Sequence, residues 1–380
     1  MLPLQDILIL DFTQFLSGPI ATLRLADLGA RVIKVERRDK GDLSRTLYKS
    51  NIHLNGASSI FHALNRNKES IAIDLKDEND LAKIKKLISQ VDVVVQNFRP
   101  AVFEKLGLGY DEIKRLNPSV VYAEVSGYGL IENWKKKPGQ DLLVQAISGI
   151  AWLTGNKEDG PIPMGLAVAD IFAGAHLTQG ILAGLYSKII HKTGCKIEVS
   201  LLESILDLQF EMLTTYFNDG GQDTIRTETN NAHAYLGAPY GIYESKDGHI
   251  AIAMASIPVL GDLLSCEPLL AFQTADSWFK ERDKIKGVLS QHLKTETSKH
   301  WLSLLEPADI WCAEVLDIEQ LTQKEAFQTL EMLQKVKMSD GFTYETTRCP
   351  ITFDGTILTH QKGSPKMGEH TIAIEEEFGL

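Results

Sequence analysis

Between Asp159 and Glu198 the chain carries one acidic side chain, Asp170, in the run Met164-Gly-Leu-Ala-Val-Ala-Asp170-Ile-Phe-Ala-Gly-Ala175. A lone carboxylate among small apolar residues, where a helical pattern opens, has two readings. It can cap the helix, its side-chain oxygen accepting a backbone N–H. It can also be a nucleophile. The positive end of a helix keeps a carboxylate ionised near neutral pH, and small neighbours leave room for an acyl group and a sulfur. The two readings are compatible, and the pattern alone keeps both open.

Other chemistries lack their residues. The turn after Leu10 reads Asp11-Phe-Thr-Gln-Phe-Leu-Ser-Gly-Pro19, without the G-x-G-x-x-G of a dinucleotide site. No P-loop, G-x-S-x-G elbow or H-E-x-x-H is present. Cys195, Cys266, Cys312 and Cys349 are scattered, so neither a metal site nor a disulfide framework is expected, and a reducing cytoplasm is the expected location. The first residues show no signal-peptide pattern. A net charge of −11 argues against nucleic acid as a partner, which needs a basic face. Residues 164 to 186 are apolar, but as a membrane span they would bury Asp170 at high cost. They read as a core segment, with no membrane partner.

The elements that must position Asp170 alternate in type. Strand candidates fall at Ile7 to Leu10, Val32 to Val35, 70 to 75, Val93 to Val95, Val120 to Val125 and Ile197 to Val199. Helical patterns separate them, one with Leu81, Ile84, Leu87 and Ile88 on a single face. Such alternation predicts an α/β fold with a mostly parallel sheet covered by helices. From about residue 220 the texture changes. Tyr240 to Met254 reads as a hairpin turning at Lys246-Asp247-Gly248, and helical patterns fill 271 to 305. We expect a large domain over 1–217, a smaller α+β domain over 225–320, and a segment 321–380 returning to the large domain.

Several segments carry a resemblance. The opening Asp11-Phe-Thr, Ser17-Gly-Pro19 and Leu25-Ala-Asp-Leu-Gly-Ala30-Arg-Val-Ile-Lys-Val-Glu36 is followed by Lys68-Glu-Ser-Ile-Ala-Ile-Asp-Leu-Lys76 and Val94-Val-Gln-Asn-Phe-Arg-Pro100. Leu106-Gly-Leu-Gly-Tyr110, Leu116-Asn-Pro118, Val125-Ser-Gly-Tyr-Gly129, Asn231-Ala-His-Ala234, Ala238-Pro-Tyr-Gly241, Gly248-His249 and Gly368-Glu-His-Thr371 continue the series. In this order they resemble the family III CoA-transferases (CaiB/BaiF family), which include formyl-CoA:oxalate and carnitine CoA-transferases.

The resemblance implies a Rossmann-like large domain and an interlocked homodimer. It implies Asp170 as the nucleophile, attacking an acyl-CoA thioester and passing through an anhydride to an aspartyl-CoA thioester. It implies no permanently bound cofactor; coenzyme A enters as part of an acyl-CoA substrate, and a small carboxylic acid is the other partner. Arg37 and Arg38, Lys76, Asn97, Phe98, Lys105 and Lys137 match positions lying along the CoA. Leu16, Gln140 and His233 match positions near the substrate. Singly, each lysine or arginine reads better as a solvated surface charge. One departure matters. The racemase branch places a histidine in a Gly-His-Asp context, and this chain has Gly139-Gln140-Asp141. Glutamine cannot shuttle a proton near neutral pH. The Gly-rich run of some members is reduced to Gly220-Gly221.

Overall fold

The protein is described from a computed structural model that covers residues 2–47, 52–222 and 224–380. It divides into two compact units. The first comprises Met1–Val144, Ala167–Leu208 and Thr329–Leu380, and the second Gln145–Leu166 and Gln209–Gln328. Relative to the expected spans, residues 145–166 and 209–217 group with the second unit rather than with the large domain.

The first unit is built on a six-stranded sheet. Its strands are β1 (Leu8–Asp11), β2 (Arg31–Glu36), β3 (Glu69–Ala72), β4 (Val93–Gln96), β5 (Val121–Ser126) and β6 (Cys195–Ser200). They lie in the order β3-β2-β1-β4-β5-β6, every pair parallel. This is the doubly wound order whose direction reverses between β1 and β4, leaving a crevice outside the strands' carboxyl ends. The strands form because their apolar runs are nearly continuous. Ile9, Leu10, Val32, Ile33, Val93, Val94, Val95, Val121, Tyr122 and Ala123 are all buried, as a sheet covered on both faces requires.

Helices α1 (Ser17–Asp27), α2 (Glu78–Ile88), α3 (Asp141–Ile147), α4 (Val168–His191) and α5 (Leu201–Leu208) accompany the sheet. Asp77 starts α2 by accepting from the N–H groups of Asn79 and Asp80, and Ile84, Leu87 and Ile88 face the core. The C-terminal segment returns here: Ile374 joins the cluster around Leu10 and Ile33, and His370 N–H donates to Ser70 O (2.9 Å).

Helix α4 is long and apolar enough to cross a membrane by length and composition. It is a core element on one face only. Ala169, Ala173, Gly174, Leu177, Ile181, Gly184 and Leu185 are buried, whereas Ile171, Tyr186, Ile189 and Ile190 are exposed. The expectation of a core segment thus holds for half of its circumference.

The second unit carries a three-stranded antiparallel sheet of β7 (Gly241–Glu244), β8 (His249–Ile252) and β9 (Cys312–Glu314), in the order β9-β8-β7. The hairpin turns at Lys246-Asp247-Gly248 as its composition predicts. Helices α6 (Arg282–Leu293) and α7 (Ser298–Leu305) enclose a core of Tyr243, Ile250, Leu289 and Trp301, whose indole N–H donates to Leu293 O (2.7 Å).

Candidate active site

Asp170 is the third residue of α4, and its own helix is capped by another residue. Ala167, at the N-cap position, offers no side-chain oxygen. Asp141, the first residue of α3, fills the role from outside: its Oδ1 accepts from Ala169 N–H (2.7 Å) and lies 3.4 Å from Asp170 N–H. The carboxylate of Asp170 points to a different helix. Ser17, which opens α1, lies on that side, and its backbone N–H and hydroxyl favour the ionised carboxylate. Leu16, at the N-cap position of α1, makes no side-chain cap. The half-buried Asp170 carboxylate therefore sits beside the N-terminus of α1, which favours its ionised form.

Close approach of α1 to α4 depends on Gly174. A Cβ there would lie 2.2 Å from Ile20 Cγ2 and 2.8 Å from Ser17 O. Gly174 sits one turn beyond Asp170 on the same face, so the contact that excludes a side chain also brings Ser17 to the carboxylate.

Burial pushes the Asp170 carboxyl up and the nearby Asp141 charge adds to this, while the Ser17 donors pull it down; the balance rests at about 6. At neutral pH the group is mostly ionised yet poorly solvated. That combination suits a carboxylate that must attack.

Gln140 and Asp141 are held at the carboxyl end of β5 by a second glycine contact. The loop after Ser126 departs and returns between Gly127 and Gly139, where a Cβ on Gly127 would lie 2.5 Å from the Cα of Gly139. Gln140 itself is exposed, and its carbonyl accepts from Val144 N–H (3.0 Å).

The loop after β1 rests on buried charges. Lys34, an uninterrupted part of β2, is fully buried; its Nζ pairs with Asp42 (2.7 Å) and donates to Thr13 O (2.7 Å). Lys68 Nζ lies 3.2 Å from Asp11 Oδ2 and donates to Thr22 Oγ1 and Asn65 Oδ1. Burial works against Asp11 ionisation, but Lys68 and Lys34 overcome it and hold this carboxyl down at about 2. Burial lowers Lys68 to about 8, with Asp11 opposing. Both members stay charged at neutral pH. Asp42 Oδ1 in turn accepts from Phe15 N–H (3.3 Å), where the backbone has φ of 66°. A left-handed phenylalanine is strained and needs such anchoring.

The remaining expected residues of the first unit follow the carboxyl ends of parallel strands and so emerge on one edge of the sheet. At the crevice between β1 and β4, Asn97 bridges the two loops: its Oδ1 accepts from Gln14 N–H (2.9 Å) and its Nδ2 donates to Gln14 O (2.7 Å). Phe98 stacks on Phe103 with ring centroids 5.3 Å apart. Arg37 and Arg38 leave β2, the first paired with Asp39 (3.0 Å) and the second with Asp80 (2.6 Å). Lys76 and Lys105 are exposed, and Lys137 Nζ lies 4.8 Å from the centre of the Trp134 ring. His233 belongs to the second unit, where its Nδ1 accepts from Tyr235 N–H (3.2 Å).

Three features were hidden in the sequence: the Ser17 donors, the Asp141 cap and the buried lysines. Lys34 left a trace, as a lone cation inside an apolar strand run. Ser17 and Asp141 stand in the motifs Ser17-Gly-Pro19 and Gly139-Gln140-Asp141, but neither motif shows that they approach Asp170, which they do only through tertiary packing.

A model of the family described as CoA-transferase family III matches residues 4–371. The chain belongs to this family. The family III enzyme is 30% identical over 384 residues to the acetyl-CoA:oxalate CoA-transferase of Acetobacter aceti, covering 99% of this chain and 96% of that protein. It is 30% identical over 390 residues to the succinate–glutarate CoA-transferase of Agrobacterium fabrum, covering 99% and 96%. A crystal structure of a CaiB/BaiF family protein from Brucella suis superposes with a TM-score of 0.84 at 26% identity, covering 99% of each chain. The protein is accordingly a CoA-transferase, an enzyme acting on CoA thioesters and carboxylates.

Proposed function

We propose that this CoA-transferase moves coenzyme A from an acyl-CoA donor to a small carboxylic acid acceptor, with Asp170 as covalent nucleophile. The observation that carries the reading is the half-buried carboxylate of Asp170 in the first turn of α4, where α1 packs close at Gly174. An Asp170 oxygen attacks the thioester carbonyl; the C–S bond breaks, giving a mixed anhydride and CoA thiolate. The thiolate attacks the aspartyl carbonyl, releases the donor acid as its carboxylate and leaves an aspartyl-CoA thioester. The acceptor carboxylate reverses these steps and departs with CoA. No water enters, so the thioester energy is retained.

The edge residues supply the CoA site in this reading. Arg37, Arg38, Lys76, Lys105 and Lys137 offer cations to its phosphates, with Asn97 and Phe98 along its length and Leu16 and Gln140 nearer the acyl group. The exposed apolar face of α4 fits a second copy of the chain, consistent with an interlocked homodimer. A racemase is disfavoured by Gln140, which stands where that branch has its histidine.

The test is incubation with a panel of acyl-CoA donors, hydroxylamine trapping and mass spectrometry of the peptide bearing Asp170. The hydroxamate is expected there, and Asp170→Ala should lose transfer while still binding CoA. Turnover by Asp170→Ala, or an unlabelled peptide under turnover, removes Asp170 from the chemistry.

A further inference from the structure

We propose that Phe15 is a substrate-contacting residue whose ring packs on the pantetheine arm of acyl-CoA, and that Asn97, Asp42 and Lys34 are the positioning residues that hold it there. This rests on the reading of the chain as a CoA-transferase acting through Asp170 and adds to it a grip on the substrate.

Three observations carry it. Phe15 has φ of 66°, and among the described residues with positive φ it is the one aromatic. A bulky side chain is disfavoured in that conformation, which persists only where the surroundings impose it. The surroundings do impose it, through side chains that hold three consecutive backbone units. Lys34 Nζ, from β2, donates to Thr13 O (2.7 Å), and Asn97, after β4, donates to Gln14 O (2.7 Å) and accepts from Gln14 N–H (2.9 Å). Asp42 accepts from Phe15 N–H (3.3 Å) and is itself paired with Lys34 (2.7 Å), both partners being buried. The ring, by contrast, is 48% exposed. Filling the core is therefore not what the strain serves. A backbone fixed so closely around a side chain left in solvent is a preorganised contact, which spares a ligand the cost of ordering it.

The place of the loop names the part of the ligand. Gln14 and Asn97 join the loops after β1 and β4, at the point of the sheet where its direction reverses and where ligands of such sheets lie. Arg37, Arg38 and Lys76 follow β2 and β3 on one side of the β1 loop. On its other side Phe15 leads through Leu16 into Ser17, whose carbonyl meets α4 at Gly174, one turn past Asp170. With phosphates on the cations and the thioester at Asp170, the arm between them must cross this loop. Its methyl and methylene groups are the apolar surface that an aromatic ring can cover.

The experiment compares Phe15→Asn, Phe15→Gly and Phe15→Leu in steady-state transfer and in urea unfolding. Glycine and asparagine accept positive φ more readily than phenylalanine, so these two variants should keep or raise the urea midpoint. Their KM for acyl-CoA should nevertheless rise roughly 10-fold, the loss of part of one ring's apolar contact. The kcat should change little, as expected when binding is lost equally from the bound and transition states, and Phe15→Leu should recover part of the KM. Because the arm is common to all donors, acetyl-CoA and succinyl-CoA should show the same rise, as should the Kd of free CoA. Asn97→Ala should raise KM by itself and add little when combined with Phe15→Asn, since both act through one ring. Should Asn97→Ala fail to fold, Asp42→Asn carries the same cycle.

An unchanged KM, a rise that depends on the acyl group, or effects at Asn97 and Phe15 that simply multiply would overturn the proposal. A fall in the urea midpoint or a change of oligomeric state in Phe15→Asn would overturn it too, by assigning the ring to the fold or to a subunit contact. A parent enzyme that transfers no CoA fails the earlier reading instead, so the two failures are distinct.

Discussion

The charge on Asp170 should weaken the fold, and removing it should strengthen the protein while abolishing transfer. The carboxyl rests at about 6 rather than 3.8. The folded state therefore binds the proton more tightly than the unfolded chain, and stability drops as pH rises from about 4 to about 6. At about 1.36 kcal/mol per pH unit the full displacement is about 3 kcal/mol. Asp170 is only half-buried, and solvent screening reduces this to about 1–2 kcal/mol. In Asp170→Asn the side chain keeps its shape and the charge is gone. We expect the variant to gain about 1–2 kcal/mol over the parent at pH 8, a rise of roughly 2–8 °C in Tm for domains of this size. The gain should vanish relative to the same comparison below pH 4, where the parent carboxyl is also neutral. The assay is urea unfolding of both proteins in a series of buffers from pH 4 to 8. A stability difference that stays constant across that range would refute the reasoning, because a packing effect of the amide does not titrate.

Two further outcomes are expected. Lys34→Met strands Asp42 as a buried unpaired carboxylate and should lower the urea midpoint by the equivalent of about 3–5 kcal/mol, the usual cost of halving a buried ion pair; a midpoint shift well under 1 kcal/mol would show that Asp42 finds water instead. In sedimentation the protein should run as a dimer at micromolar concentration, since Ile171, Tyr186, Ile189 and Ile190 are 41, 67, 64 and 53% exposed on one helix. A persistent monomer would mean that this face is covered by something other than a second copy.

Much of the architecture is local in origin and was readable. Runs such as Val93 to Val95 and Val120 to Ala123 are apolar without alternation, because a parallel strand under helices is buried on both faces. The Lys246-Asp247-Gly248 turn sits between two alternating runs. Asp170 stood out as the one acid in a long apolar stretch, and the ordered motifs along the chain pointed to the family. Boundaries were less legible. The strand expected at 70 to 75 ends at Ala72, because Asp74 and Asp77 serve the start of α2 instead.

What packing alone decided is the environment of that carboxylate. Ser17 and Asp141 lie far from Asp170 along the chain, and the motifs that contain them do not tie them to it. They become its neighbours because α1 settles against α4 at Gly174, and because the loop between Gly127 and Gly139 closes on two glycines. Lys68 likewise looks like an ordinary surface cation until the sheet buries it beside Asp11, and only packing supplies Asp42 as the partner of Lys34. Residue type and periodicity set which segments are strands, which are helices and where a reactive acid stands. Charge stabilisation depends on distance through a low-dielectric interior, and distances between remote segments exist only once the helices and sheet have packed.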